Sequence, residues 1–242
     1  MTIHIMVDLE TWGTTPGSDI RSIGAVVFDP VTGTLGSELH IATMGGGRFG
    51  LRRDPSTVTW WSQQSAEAQA AFASPVPIEM ALDTFAEWWR NLATVAGCEP
   101  TFWAKGPHFD EVILAECYRS TGRAVPWHYR SPRDVRTIEE AAEVEHLAFE
   151  GEPHNALDDA KHQARTVIEG YRRLGIGGPQ TSEEIADNIA AATIAIKSLG
   201  YDHEHIMRRA QQKVRDLTCV GLNPCDGLAQ AKARGAADWS AS

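Results

Sequence analysis

The first ten residues alternate. Ile3, Ile5 and Val7 fall on one face, and His4, Met6 and Asp8 on the other. A period of two predicts a strand. A second apolar run, SIGAVVFDP, stops at Asp29-Pro30. VTGTLG then has turn chemistry, and SELHIATM returns as a third strand. Three strands at such short spacing predict an antiparallel meander. The period next becomes helical over STVTWWSQQSAEAQAAF and PIEMALDTFAEWWRNLATV, where Leu82, Phe85, Trp89 and Leu92 form one apolar stripe. PTFWAKG reads as a short buried strand, and HFDEVILAECYRSTG as a helix ended by Gly122. VPWHYRSPRDVRT carries a short strand and a turn, and EEAAEV starts another helix. HNALDDAKHQARTVIEGYRRLG is a long helix with Leu157, Ala164, Val167 or Ile168, and Tyr171 inward.

Three strands followed by alternating helices and strands predict an α/β domain over residues 1–175, a mixed sheet covered by helices. GIGGPQ reads as a linker into a helical extension, residues 176–242, whose tail is Gly- and Ala-rich. Thr181 and Glu184 fit a capping box there, and Ile185, Ile189, Ile196 and Leu199 make an apolar stripe.

Composition narrows the chemistry. No apolar run reaches eighteen residues, so no membrane-spanning helix is expected, and the N-terminus has no secretory signal pattern. The four cysteines (Cys98, Cys117, Cys219, Cys225) are widely spaced with no CxxC, which reads as thiols of a reducing cytoplasm. The net charge is −10, with the acidity concentrated before residue 176. Such a balance argues against holding nucleic acid by a broad basic surface. It is compatible with an acidic site that binds cations.

The acids are placed oddly for mere solubility. Asp8 and Glu10 end the first strand, and residues i and i+2 share a face about 7 Å apart. Asp110 opens a helix just after the buried strand. His154 stands five residues before Asp159, again at a helix start. Each acid taken singly reads as a solvated edge, a cap or a dipole partner. Taken together, they supply what a two-metal phosphoryl-transfer site needs: oxygen ligands for two hard cations and an imidazole base near the water.

VDLET, GPHFDEVIL and HNALDDA resemble, in family order, the three motifs of the DEDDh-type 3′→5′ exonucleases on the ribonuclease-H-like fold. DLETWGTTPGSDIRSIGAVVFDPVTG, STVTWWSQQS and RDVRT further resemble a phage and bacterial exoribonuclease-like subgroup. The resemblance implies a ribonuclease-H-like mixed sheet in a cytoplasmic enzyme of a bacterial or phage-infected cell. It implies two Mg²⁺ ions, with Mn²⁺ able to substitute. Asp8 would bridge both metals, Glu10 and Asp159 would hold the metal that activates water, and Asp110 would join the other shell. His154 would be the general base, and Asp158 a first-turn dipole partner. The expected activity is hydrolysis from the 3′ end of single-stranded DNA or RNA, releasing nucleoside 5′-monophosphates. Two competing readings are an oligonucleotide or nucleotide phosphodiesterase and a non-catalytic recombination partner.

Candidate substrate contacts follow. Thr11 and Trp12 would line the terminal sugar and base, and Phe109 would stack on a base. Adjacent helical residues diverge by about 100°, so one of Trp60 and Trp61 is core and the other faces the groove; Trp61 is assigned to the groove. Arg48, Arg52 and Arg53 are candidate phosphate contacts. The C-terminal stripe is a candidate homodimer surface.

Overall fold

The computed structural model describes residues 2–177. The expected capping box and C-terminal stripe, with Cys219 and Cys225, lie outside the described residues. Strands β1 (His4–Thr11), β2 (Ile20–Phe28) and β3 (Leu35–Met44) form the expected antiparallel meander. Helices α1 (Pro55–Trp61) and α2 (Ala66–Ala70) follow, then a two-residue strand β4 (Val76–Pro77) and helix α3 (Ile78–Ala96). Next come β5 (Thr101–Ala104), α4 (Asp110–Ser120), β6 (Pro132–Asp134), α5 (Val135–Ala141) and α6 (Ala156–Leu174). The sheet order is β4-β3-β2-β1-β5-β6, with β5 parallel to β1 and β6 parallel to β5. No described helix is long and apolar enough to cross a membrane.

Helices cover both faces of the sheet. Ile5, Val7 and Leu9 of β1 pack with Leu82, Phe85 and Trp89 of α3 and Ile113 and Leu114 of α4. Met6 points the other way, with Val26, Phe28 and Trp103, against Ala160, Ala164 and Val167 of α6. Both faces of β1 are therefore buried near its start, and the alternation leaves Asp8 and Glu10 on the α6 side.

Two segments differ from the sequence expectation. The helix expected over 56–72 is two short helices, because Ser65 turns out to cap α2, its hydroxyl accepting the Ala68 N–H at 3.0 Å. The helix expected to begin near Glu139 begins at Val135, where the Asp134 carboxylate accepts the Arg136 N–H at 3.1 Å.

Register opens a cleft where β1 ends. β5 pairs with β1 over His4↔Thr101, Ile5↔Phe102 and Met6↔Trp103 and no further. Beyond Met6 the edge of β1 that faced β5 has no ladder partner, and Leu9 finds one in the Asp110 carboxylate instead. β1 is also where the sheet switches from antiparallel to parallel neighbours, the place at which strand ends leave room for a ligand.

Candidate active site

Three elements converge on that cleft. β1 brings Asp8 and Glu10. α4 brings Asp110 as its first residue; the buried carboxylate accepts the Leu9 N–H at 3.1 Å. α6 brings Asp159 in its first turn. Asn155 caps α6, accepting the Leu157 N–H at 3.0 Å, which leaves His154 on the loop before the helix. His154 has φ of +66°, the left-handed region that a non-glycine residue seldom occupies. Its N–H donates to Asp159 Oδ2 at 2.9 Å, so the loop and the first turn hold each other. Glu10, His154 and Asp159 each offer a ligand atom, all within 4.8 Å of one another.

Asp158 points elsewhere. Its Oδ2 accepts the Glu152 N–H at 3.0 Å and pins the preceding loop. Of the two adjacent aspartates, Asp159 is therefore the one that faces the cleft.

The electrostatics are those of crowded, buried carboxyls that the nearby Arg21 and Arg136 only partly compensate. Burial, then the carboxylates of Asp110, Glu10 and Asp159, holds Asp8 well above the usual carboxylate range. Burial, then Asp159 and Asp110, pushes Glu10 up to about 8. Burial pushes Asp110 up to about 7, against the Leu9 hydrogen bond. Asp159 is raised by burial too, against its bond from His154. Four carboxyls that resist ionisation in one cleft suit a hard divalent cation, which relieves both the repulsion and the desolvation.

Several positioning residues escape a reading by motif. Gly24 lies opposite Asp8 in the β1–β2 register. A Cβ there would lie 2.1 Å from the Ala156 carbonyl carbon, so the glycine lets α6 rest directly on the sheet. Gln163, one turn beyond Asp159, donates from Nε2 to Asp8 Oδ1 at 2.7 Å. Its signal in the sequence is a polar residue inside the stripe Ala156, Ala160, Ala164, Val167. Arg21 is the extra residue of a bulge at Glu10/Thr11. Its guanidinium is buried within 4.6 Å of the Trp12, Trp61 and Phe72 ring centres and donates to Gln69 Oε1 at 2.6 Å. Bulges beside active sites redirect side chains in this way.

The expected substrate contacts fare unevenly. Trp61 is 2% exposed and donates from Nε1 to the Thr11 carbonyl at 2.8 Å, which leaves no face for a base and corrects its assignment. Trp60 is the exposed member of the pair, at 41%, and meets the His154 ring edge-on with centres 4.9 Å apart. Thr11 is buried, and its hydroxyl donates to the Gly13 carbonyl at 2.7 Å, so it shapes the turn and does not face the groove. Trp12 is half-buried, with the Arg21 and Arg53 guanidinium groups over its ring. Phe109 is half-buried against the core below β1. Arg53 pairs with the buried Asp19 at 3.0 Å, and Arg48 pairs with Glu79.

The family model of the 3′-5′ exoribonuclease Rv2179c-like domain matches residues 3–170. The chain belongs to that family. It is a 3′→5′ exonuclease, a hydrolase. Among solved structures it is similar to Escherichia coli exonuclease I in complex with a dA16 oligonucleotide: 13% identity, 72% of this chain, 41% of that one, TM-score 0.50. It is also similar to the nuclease domain of 3′hExo bound to rAMP: 14% identity, 70% of this chain, 92% of that one, TM-score 0.49. The cell-death related nuclease CRN-4 matches at 12% identity over 72% of this chain and 65% of that one, TM-score 0.49. At such identities the likeness speaks to the fold alone. No curated protein matches the chain in sequence.

Proposed function

We propose that this member of the Rv2179c-like family trims single-stranded RNA from its 3′ end, one nucleoside 5′-monophosphate at a time. The observation that carries the proposal is the convergence of Asp8, Glu10, Asp110 and Asp159 on one cleft, with a ring nitrogen of His154 within 4.8 Å of carboxylate oxygens of Glu10 and Asp159. The family's exoribonuclease description supports RNA. Asp8, which feels the charge of the other three carboxyls, would hold the cations together with Glu10, Asp159 and Asp110, and Glu10 and Asp159 are the ones beside His154. Bound Mg²⁺, or Mn²⁺ in its place, supplies charge neutralisation and a more acidic water.

The chain's own groups do the rest. His154 takes the proton of the attacking water. Its backbone bond to Asp159 holds the loop that presents the ring. Trp60, exposed beside His154, offers a ring face on which the terminal base stacks. Phe109 and Trp12 border the same end of β1.

End-labelled RNA and DNA of equal sequence, incubated with Mg²⁺, provide the test. A ladder of products shortened stepwise from the 3′ end, faster on RNA, is the expected result. Internal cuts, or no cleavage with any divalent ion, would overturn the proposal. Asp8→Ala and Asp159→Ala are each expected to abolish the ladder while the circular dichroism spectrum is kept.

A further inference from the structure

We propose that Gln163 is a positioning residue for Asp8: its amide fixes which edge of that carboxylate is presented to the cations. The inference rests on the metal-dependent reading above. Gln163 lies four residues after Asp159 on α6, so the two share a helix face. It is buried in a stripe of alanines and Val167, where an apolar side chain would fill the space. Its Nε2 donates to Asp8 Oδ1 at 2.7 Å, and its Oε1 has no partner although buried. A glutamine kept only for packing would not leave a buried acceptor unpaired. The amide thus makes one bond, and that bond goes to the acid at the centre of the cluster.

The orientation of the amide follows from charge. Once cations hold Asp8 in its ionised form, the reverse orientation would set Oε1 against that carboxylate, two acceptors facing each other. With N–H toward Asp8, one lone pair of Oδ1 is occupied, and Oδ2 with the remaining lone pair of Oδ1 stays available to cations. Because Gln163 and Asp159 ride on one helix, the amide also ties the position of Asp8 to that of Asp159. Groups that orient a ligand carboxylate from behind typically contribute 10–100-fold to metal affinity or activity.

The test is Mn²⁺ binding to the full chain by calorimetry, for the parent, Gln163→Met and Gln163→Leu, alongside melting curves in EDTA. Both variants are expected to melt in EDTA at or above the parent temperature, since the unpaired acceptor is gone. Both are expected to bind Mn²⁺ at least roughly tenfold more weakly. Equal Mn²⁺ affinity in parent and variants would overturn the positioning role, and so would a lower melting temperature with affinity unchanged, the mark of a packing residue. A parent chain that binds no Mn²⁺ would sink the metal reading itself, an outcome distinct from failure of the Gln163 proposal alone.

Discussion

His154 combines an imidazole with a backbone conformation that few non-glycine residues adopt, and both serve one location. The left-handed turn, fastened by the N–H bond to Asp159, sets the ring beside Glu10 and against the edge of Trp60. His154→Ala is expected to lower kcat by about 10²–10⁴-fold, the usual contribution of a general base. The melting temperature should hardly move; a loss confined to KM would instead assign the ring to binding. The neighbouring tryptophans separate substrate contact from packing. Trp60→Ala should weaken binding of a single-stranded end by about 1–3 kcal/mol with little change in stability. Trp61→Ala should cost about 3–5 kcal/mol of folding stability, because that ring is core. Urea titration and fluorescence anisotropy on the two variants would expose an exchange of roles. The sequence could not make this choice. A seven-residue helix with two adjacent tryptophans does not fix its own rotational phase.

At the level of elements, the site depends on how closely α6 approaches the sheet. Ala156, Ala160 and Ala164 give the helix a flat face, and Gly24 removes the last obstruction under its first turn. Gly24→Ala must therefore lift the end of α6 that carries Asp159. The expected penalty is about 1–3 kcal/mol, the range for overpacking a close contact. Activity should fall further than the stability loss alone predicts, as seen by comparing rates at a temperature where the variant remains folded. Full activity in a folded Gly24→Ala protein would show that the approach of α6 does not set the site. The long elements were legible in the sequence because their periods are strong: the alternation of β1, the stripe of α3 and that of α6. The clustering of Asp8, Glu10, Asp110 and Asp159 was legible because charge at the end of a buried strand demands an explanation. Gly24, Arg21 and Gln163 were hidden for a shared reason. Each acts through a contact between segments far apart in the chain, and local periodicity carries no record of such contacts. The division of α1 from α2 was missed because Ser65 within a polar stretch looks like helix surface until its cap is seen.

For the whole molecule, a cation bound among these acids would link folding, protons and metal. Asp8 is raised well above the carboxylate range, Asp110 to about 7 and Glu10 to about 8. In the unfolded chain the same groups titrate near about 4. Between those values the folded protein holds more protons than the unfolded one, so folding stability falls as pH rises. The contribution is fully present below about 4 and is lost as pH climbs through about 8, the value of Glu10. Metal binding at these carboxyls would have the opposite slope, because the ligands would first have to give up their protons. In EDTA the melting temperature should therefore decline from pH 5 to pH 8, while the rise produced by saturating Mn²⁺ should be larger at pH 8. Glu10→Gln isolates the cluster from the other titrating groups. Its profile in EDTA should be flatter than the parent's and lie above it at pH 8, since a neutral amide replaces a carboxyl that resists ionisation. Parallel profiles for the two proteins would mean that Glu10 titrates alike folded and unfolded, and the case for a cation among these carboxylates would lose its electrostatic basis.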